Sequence, residues 1–451
     1  MTAMLQRFLN IRREEVAPVL LAALYMFCIL TALMVLRPTR DALGMQRGID
    51  SVRWLFMLTL VLTLVVNPVF GWLVGRFRRL VFISATHVFF ALNLLMFWAL
   101  ISFAPQAVGV TSGQVFYVWM SVFNLFITMV FWALMADRFS LEQSKRLFGA
   151  IAVGGTTGAI FGSWLAVTLT TPLGAAAMLL IAIMFLLVAT GCAWGVALLQ
   201  PERVVSTDPE ASPAVSEDTV IGGSAWEGFR AVFRSPYLLG IATYVLTLAV
   251  IATFIYFTRL QMVAALGDDV DMRAGLFAQI DLYTQIATLA LQLVVAGHLM
   301  KRLGVPVALA LLPLTVALGF IGLAIIGTLT ALIVFEATFR AVQRALMRPG
   351  RETLFTVVSR EEKYKAKAFT DTFGYRAGDA LGAQTEGLLG KLGMGLAGLA
   401  AVAVPLALAW AVLGVWLGRT QQRIAARIGP QGGGLAPVGA PAAPVSGKNP
   451  G

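Results

Sequence analysis

Two stretches, "GGTTGAIFG" at residues 154–162 and "GYRAGDALG" at residues 374–382, decide the fold. Each holds three glycines spaced four apart, Gly154, Gly158 and Gly162 in the first and Gly374, Gly378 and Gly382 in the second, and the shift between them is 220 at every rung. Residues four apart share a helix face, and a face without side chains lets another backbone approach closely. A related basic turn precedes each ladder, "SLEQSKRLFG" from Ser140 and "SREEKYKAKAF" from Ser359. Glycine is common in membrane helices, so one ladder is weak. Two ladders after equivalent turns mark an internal duplication.

The composition sets the medium in which this duplication folds. Of 451 residues, 59% are hydrophobic and 13% charged, with a mean hydropathy of +0.82. Soluble domains carry about 25% charged residues, so the chain reads as a multi-span membrane protein. Its net charge of +11 points to basic loops rather than to nucleic acid. Cys28, Cys192, His87 and His298 lack the spacing of a disulfide framework or a metal site. No cofactor, metal or catalytic group is expected. No G-x-x-x-x-G-K-[ST] loop occurs, which excludes that route to ATP hydrolysis.

Runs of spanning length fall at about 16–42, 53–75, 80–103, 114–136, 147–170, 173–199, 237–258, 274–299, 305–327, 329–349, 366–390 and 393–418. In lipid these must be helices. The expected fold is therefore all-α, with twelve transmembrane helices in two parallel six-helix repeats. Residues 1–199 form the first half and 236–418 the second. Residues 200–235 form a Pro/Ser/acid-rich linker with a short amphipathic helix around Trp226 and Phe229, and 419–451 a disordered tail. "FGWLVGRFRRLVF" from Phe70 and "AGHLMKRLGVPVA" from Ala296 add a further repeat signal at Gly71 and Gly297. Basic residues gather in the loops on the side of the N-terminus, while the loops near 104–113 and 328 have none. Both termini are thus expected in the cytoplasm, with the chain in the inner membrane. Arg37, Arg40, Arg47 and Arg53 break that rule by falling on the outer half.

Charges inside the spans are the candidate site, because they are costly in lipid. "VLRPTRDALG", residues 35–44, brings Arg37, Arg40 and Asp41 together around Pro38. It reads either as a helix end reaching water or as a site, with Arg37 and Asp41 spaced to pair. Pro38 should bend the span. The tenth span carries Glu336, Arg340, Arg344 and Arg348, then Arg351 and Glu352 after Pro349. Steps of four keep the first of these on one stripe, and arginine forks suit carboxylate or phosphate. Arg340 and Arg344 locked in ion pairs, with no cavity around them, would instead mark a scaffold without transport. Asp281 in the eighth span reads as a gate, a proton site or a partner for an arginine of the second half. In the eleventh span, Arg376 and Asp379 are spaced to neutralise one another. Tyr25, Trp132, Tyr256 and Tyr283 read first as packing aromatics.

The two-half architecture resembles that of major facilitator transporters, which bind substrate between the halves. Three motifs also resemble the ATP/ADP translocases of intracellular bacteria and plastids. Leu36-Arg37-Pro38-Thr39-Arg40-Asp41-Ala42-Leu43 matches five of eight positions of their Leu-Arg-Asp-Thr-Lys-Asp-Thr-Leu. Phe131-Trp132 followed by Lys145-Arg146-Leu147-Phe148 is the second, and Arg348-Pro349-Gly350-Arg351-Glu352 followed by "EEKYKAKAF" the third. This resemblance spans about residues 20–418 and implies antiport of ATP and ADP or related nucleotide import. Pro38, Arg40 and Arg348 stand where that family has Asp, Lys and Asp. The expected partners are a small anion, nucleotide-like by resemblance, and the lipid bilayer, with the chain a monomer. On this reading Arg37, Arg40, Arg340, Arg344 and Arg348 bind substrate. Asp41, Glu336, Arg351 and Glu352 form gating salt bridges, and Asp281 and Asp379 supply coupling. The rival is a proton-coupled carrier of a non-nucleotide or lipid-like solute.

Overall fold

The computed structural model describes residues 12–76, 79–200, 232–295 and 299–428. The helices of the first part are α1 (Val16–Gly44), α2 (Ile49–Arg76), α3 (Arg79–Phe103), α4 (Gln106–Arg138), α5 (Leu141–Leu173) and α6 (Ala177–Leu199). The second part holds α7 (Pro236–Ala264), α8 (Val270–Val295), α9 (Leu299–Ile326) and α10 (Leu329–Val342). After a π turn at Gln343–Met347 come α11 (Arg348–Leu354) and α12 (Arg360–Phe369). A second π turn at Thr370–Gly374 leads into α13 (Tyr375–Lys391) and then α14 (Leu396–Ile428).

Within the described residues each of the twelve expected runs is largely helical, but only nine helices there are long and apolar enough to cross a membrane. The runs around 274–299, 329–349 and 366–390 fall short because they carry the interior charges. The chain is an all-α, multi-span membrane protein. α14 continues to Ile428, so the tail expected from 419 begins as helix. The rest of that tail, nearly all of the expected linker with its amphipathic helix, and Gly297 lie outside the described residues.

The apolar residues sort into three clusters. One is built almost wholly from α1–α6, including Tyr25, Phe90, Phe123 and Phe131. A second is built from the later helices, including Tyr244, Phe320, Phe335 and Trp410. The third joins them: Ala42, Met45, Val52, Leu55 and Tyr117 meet Phe257, Leu260, Phe277, Ile280 and Ala383. Its members lie where α1 and α7 end and where α2, α4 and α8 begin, so the two parts are bonded at one end. We call this the far end, opposite to where α1 enters.

The glycine ladders explain how each part is welded. A Cβ on Gly154, Gly158 or Gly162 would lie 2.1, 2.3 or 2.6 Å from the carbonyl oxygens of Ala23, Phe27 or Thr31, so α5 rests on the backbone of α1. Gly378 and Gly382 do the same on α7, their Cβ atoms falling 2.7 and 3.0 Å from the carbonyls of Leu246 and Val250. The third rung fails. Gly374 sits in the π turn and meets only the side chain of Thr370, because the wider turn carries it off the face shared by Gly378 and Gly382.

His87 is a structural histidine, buried between Tyr25 Oη (3.2 Å) and Thr190 Oγ1 (2.9 Å). Trp132 packs on Phe131 and Phe148, while Tyr283 is exposed. Cys28 and Cys192 are buried free thiols.

Replacing Gly158 or Gly378 by Leu should destabilise the detergent-purified protein by at least about 1–3 kcal/mol, the cost of an overpacked core, and so lower its unfolding temperature. Gly149→Ala has nothing within 4 Å of the new methyl and should be neutral or stabilising by up to about 1 kcal/mol. Thermal unfolding that ranks the three variants differently would refute the backbone weld.

Candidate functional site

The centre of the site is Arg259, which the sequence reading missed. It lies near the end of α7 with 1% of its surface exposed. Its Nη2 donates to Asp41 Oδ2 of α1 at 2.8 Å, and its Nη1 donates to Asp281 Oδ1 of α8 at 2.7 Å. Nη1 also stands 3.7 Å from Glu336 Oε1 of α10, and the guanidinium lies over the ring of Phe277. Asp41 and Asp281 are fully buried. One cation thus holds three carboxylates from three helices.

The expected pairing within α1 does not form. Asp41 is taken by Arg40, whose Nε donates at 2.9 Å, and by Arg259, because it points at the second part of the chain. Arg37 turns instead to Asp281, its Nε 3.7 Å from Oδ2. α1 continues through Pro38 as helix to Gly44. Tyr256 Oη donates to Asp41 Oδ1 at 2.9 Å, and Tyr117 Oη meets Tyr256 Oη at the same distance. The Arg40 guanidinium lies 4.8 Å from the centre of the Tyr117 ring.

Arg340 pairs with Glu336 one turn earlier on α10. Arg344 lies in the π turn, half-buried, in the electrostatic field of Arg340, Arg348 and Arg37. Among the described residues no carboxylate pairs with it. Arg348 follows the π turn, and its side chain is exposed. Arg351 and Glu352 stay within the later helices: Arg351 meets Asp371 (3.1 Å) and Tyr375 Oη (3.2 Å), and Glu352 meets Lys367 (2.7 Å).

Beside the network lies a recess of about 180 Å³, walled by Arg40, Phe56, Thr59, Tyr117 and Ser121 on one side and by Thr253, Tyr256, Arg376 and Asp379 on the other. Asp379 accepts from Thr253 Oγ1 (3.4 Å) and from Arg376 (3.2 Å), the pairing its spacing implies. Further toward the far end, Arg53 of α2 donates to Glu386 of α13 at 2.8 Å, and the backbone N–H of Ala175 donates to Asp271 at 2.7 Å. Both of these contacts join the two parts toward the far end.

Arg259 had one signal in the sequence. α1 and α7 are both 29 residues long. Laid on "VLRPTRDALG", the stretch "IYFTRLQMVA" at 255–264 brings Thr258-Arg259 within one residue of Thr39-Arg40. Seen alone, Arg259 looks like a cation snorkelling from a helix end.

Comparison with known proteins fits this arrangement of two parts around a central recess. The profile of the Major Facilitator Superfamily matches residues 19–343, and the chain belongs to that superfamily. Similar solved structures include a point mutant of the nucleoside transporter NupG, with 13% identity, a TM-score of 0.60, and coverage of 90% of this chain and 99% of that one. The peptide transporter PepTSo of the POT family gives 12% identity, a TM-score of 0.59, and 91% and 98% coverage. The human organic anion transporter MFSD10 (TETRAN) gives 14%, 0.56, and 90% and 100%. At such identities these likenesses bear on the fold alone. Comparison with curated proteins gives no significant sequence match. Membership of that superfamily makes the protein a secondary transporter and not an enzyme.

Arg259→Met removes the shared cation and leaves Asp41, Asp281 and Glu336 without it. Breaking a buried pair from one side costs about 3–5 kcal/mol, so this variant should unfold well below the wild type. Tyr256→Phe removes the hydrogen bonds to Asp41 and Tyr117 and should cost about 1–3 kcal/mol, less than Arg259→Met. Equal unfolding temperatures for Arg259→Met and wild type would show that the network contributes nothing to stability.

Proposed function

We propose that the chain carries a small organic anion through the recess between two six-helix halves, coupled to protons through Asp379. The observation that carries this reading is a charge imbalance. Five arginines, Arg37, Arg40, Arg259, Arg340 and Arg344, converge with three carboxylates, Asp41, Asp281 and Glu336. A buried excess of cations favours an anionic ligand, and guanidinium forks match carboxylate or phosphate. Arg344, without a carboxylate partner among the described residues, is the first contact for such a group. Arg340, Arg37 and Arg40 would complete the site at the cost of their present partners. An anion would then bind more tightly where the network is loosened than where it is closed, which is what a ligand needs in order to shift a conformational equilibrium.

The six-plus-six reading is supported by the twelve helical runs and by the paired glycine welds. The basic loops support cytoplasmic termini. On that reading the far end is the outside, and the contacts gathered there make this an inward-facing state. Asp41 and Glu336 then act as gate carboxylates through Arg259. Asp379 lines the recess beside Arg376, which supports its exchanging a proton with the path of the solute.

The size of the recess favours a solute smaller than a nucleotide, since drug-sized ligands occupy clefts of roughly 300–1,000 Å³. The match at residues 36–43 supports nucleotide exchange, while Pro38 and the exposed Arg348 weaken it.

Reconstituted vesicles decide between them. Offered a panel of small labelled carboxylates and phosphates, they should accumulate one of these under an inward proton gradient and lose the accumulation with an uncoupler. Arg344→Gln should reduce that uptake at least about tenfold, the equivalent of ~1.4 kcal/mol, with an unchanged unfolding temperature. Asp379→Asn should keep solute exchange and lose gradient-driven accumulation. Uncoupler-resistant exchange of ATP for internal ADP, with no uptake of smaller anions, would overturn the proposal in favour of nucleotide exchange.

A further inference from the structure

Four arginines break the charge asymmetry of the loops, and three are explained by partners: Arg37 by Asp281, Arg40 by Asp41, and Arg53 by Glu386. The fourth, Arg47, has no carboxylate partner among the described residues. It is exposed, at the far end, in the short 3-10 turn between α1 and α2. It donates only to neutral acceptors on α4, Thr111 Oγ1 at 2.8 Å and Gln114 Oε1 at 3.1 Å. Its charge is therefore not neutralised by the protein groups it touches.

Thr111 has a second role. It borders a groove of about 480 Å³ between the end of α3 and the start of α4, lined by Met96, Phe97, Leu100, Val108 and Val115. The lining is almost wholly apolar. Met96, Val108 and Val115 are exposed, as is Phe103 at the end of α3. Both helices are long and apolar enough to span, so this face meets the hydrocarbon of the bilayer near its far-end boundary. An apolar furrow leading along two spanning helices to a fixed cation has the two chemistries of one molecule, an acyl chain joined to a phosphate. Basic side chains at the membrane boundary attract anionic headgroups.

The geometry points to a specific phospholipid site on the first half, with an acyl chain in the α3–α4 groove and the phosphate on Arg47. A phosphate joined to an acyl chain satisfies the cation and the apolar groove at once, and at the lipid-facing boundary that favours a phospholipid over a protein helix. This site lies outside the transport recess and is independent of the substrate carried there.

The test is native mass spectrometry of the full chain released from vesicles of equal phosphatidylglycerol and phosphatidylcholine. Wild type should retain phosphatidylglycerol preferentially. Arg47→Ala should lower retention of phosphatidylglycerol several-fold and erase the preference. Val115→Trp, which fills the groove, should lower retention of both lipids. Gly149→Ala serves as the folded control, and all variants are compared at matched elution volume and circular dichroism. Unchanged phosphatidylglycerol retention in both Arg47→Ala and Val115→Trp would overturn the site. Release of free phosphate in place of intact lipid would overturn it as well.

Discussion

A single guanidinium shared by three buried carboxylates is the constraint on which the rest depends. Arg259 reaches Asp41 across the boundary between the two parts, while also holding Asp281 and Glu336 on its own side. Removing such charges from water is expensive, and only good mutual geometry returns the cost. The geometry is incomplete here: Arg259 Nε, Asp281 Oδ2 and Glu336 Oε2 are buried without a hydrogen-bond partner. A network left partly unsatisfied holds less firmly than a complete one. That suits a closure which must form and part in every cycle.

The glycine welds set the complementary condition. α5 on α1 and α13 on α7 are in backbone contact, so neither pair can slide without steric conflict. Motion is then directed to the boundary, where an apolar cluster and a few polar contacts stand in place of welded backbone. The two apolar cores, one in each part, travel intact.

Much of this was legible in the sequence, and the exceptions share a cause. The ladders were readable because period four survives in any regular helix, and two rungs of the second ladder pack as the first does. The interior charges were readable because lipid makes them conspicuous. Their partners were not. Arg37 and Asp41 are spaced to pair, yet Arg37 turns to Asp281 on α8, while Asp41 is shared between its neighbour Arg40 and Arg259 on α7. Arg259 was hidden by its position near a helix end, where a cation usually needs no explanation. The two π turns defeated period counting: each is wider than a regular turn, and they hold Gly374, which leaves its ladder, and Arg344, the last member of its stripe.

The position of the joining cluster has a mechanical consequence. α1 and α7 meet near one of their ends, and a 29-residue helix is about 43 Å long, so a rotation of about ten degrees at that joint sweeps the opposite end through roughly 7 Å. Each welded helix pair is then a stiff arm with its fulcrum at the extremity. A displacement of a fraction of an ångström among the side chains around Arg259 is therefore magnified along the arm, and side-chain rearrangement at the pivot governs the width of a passage a helix length away.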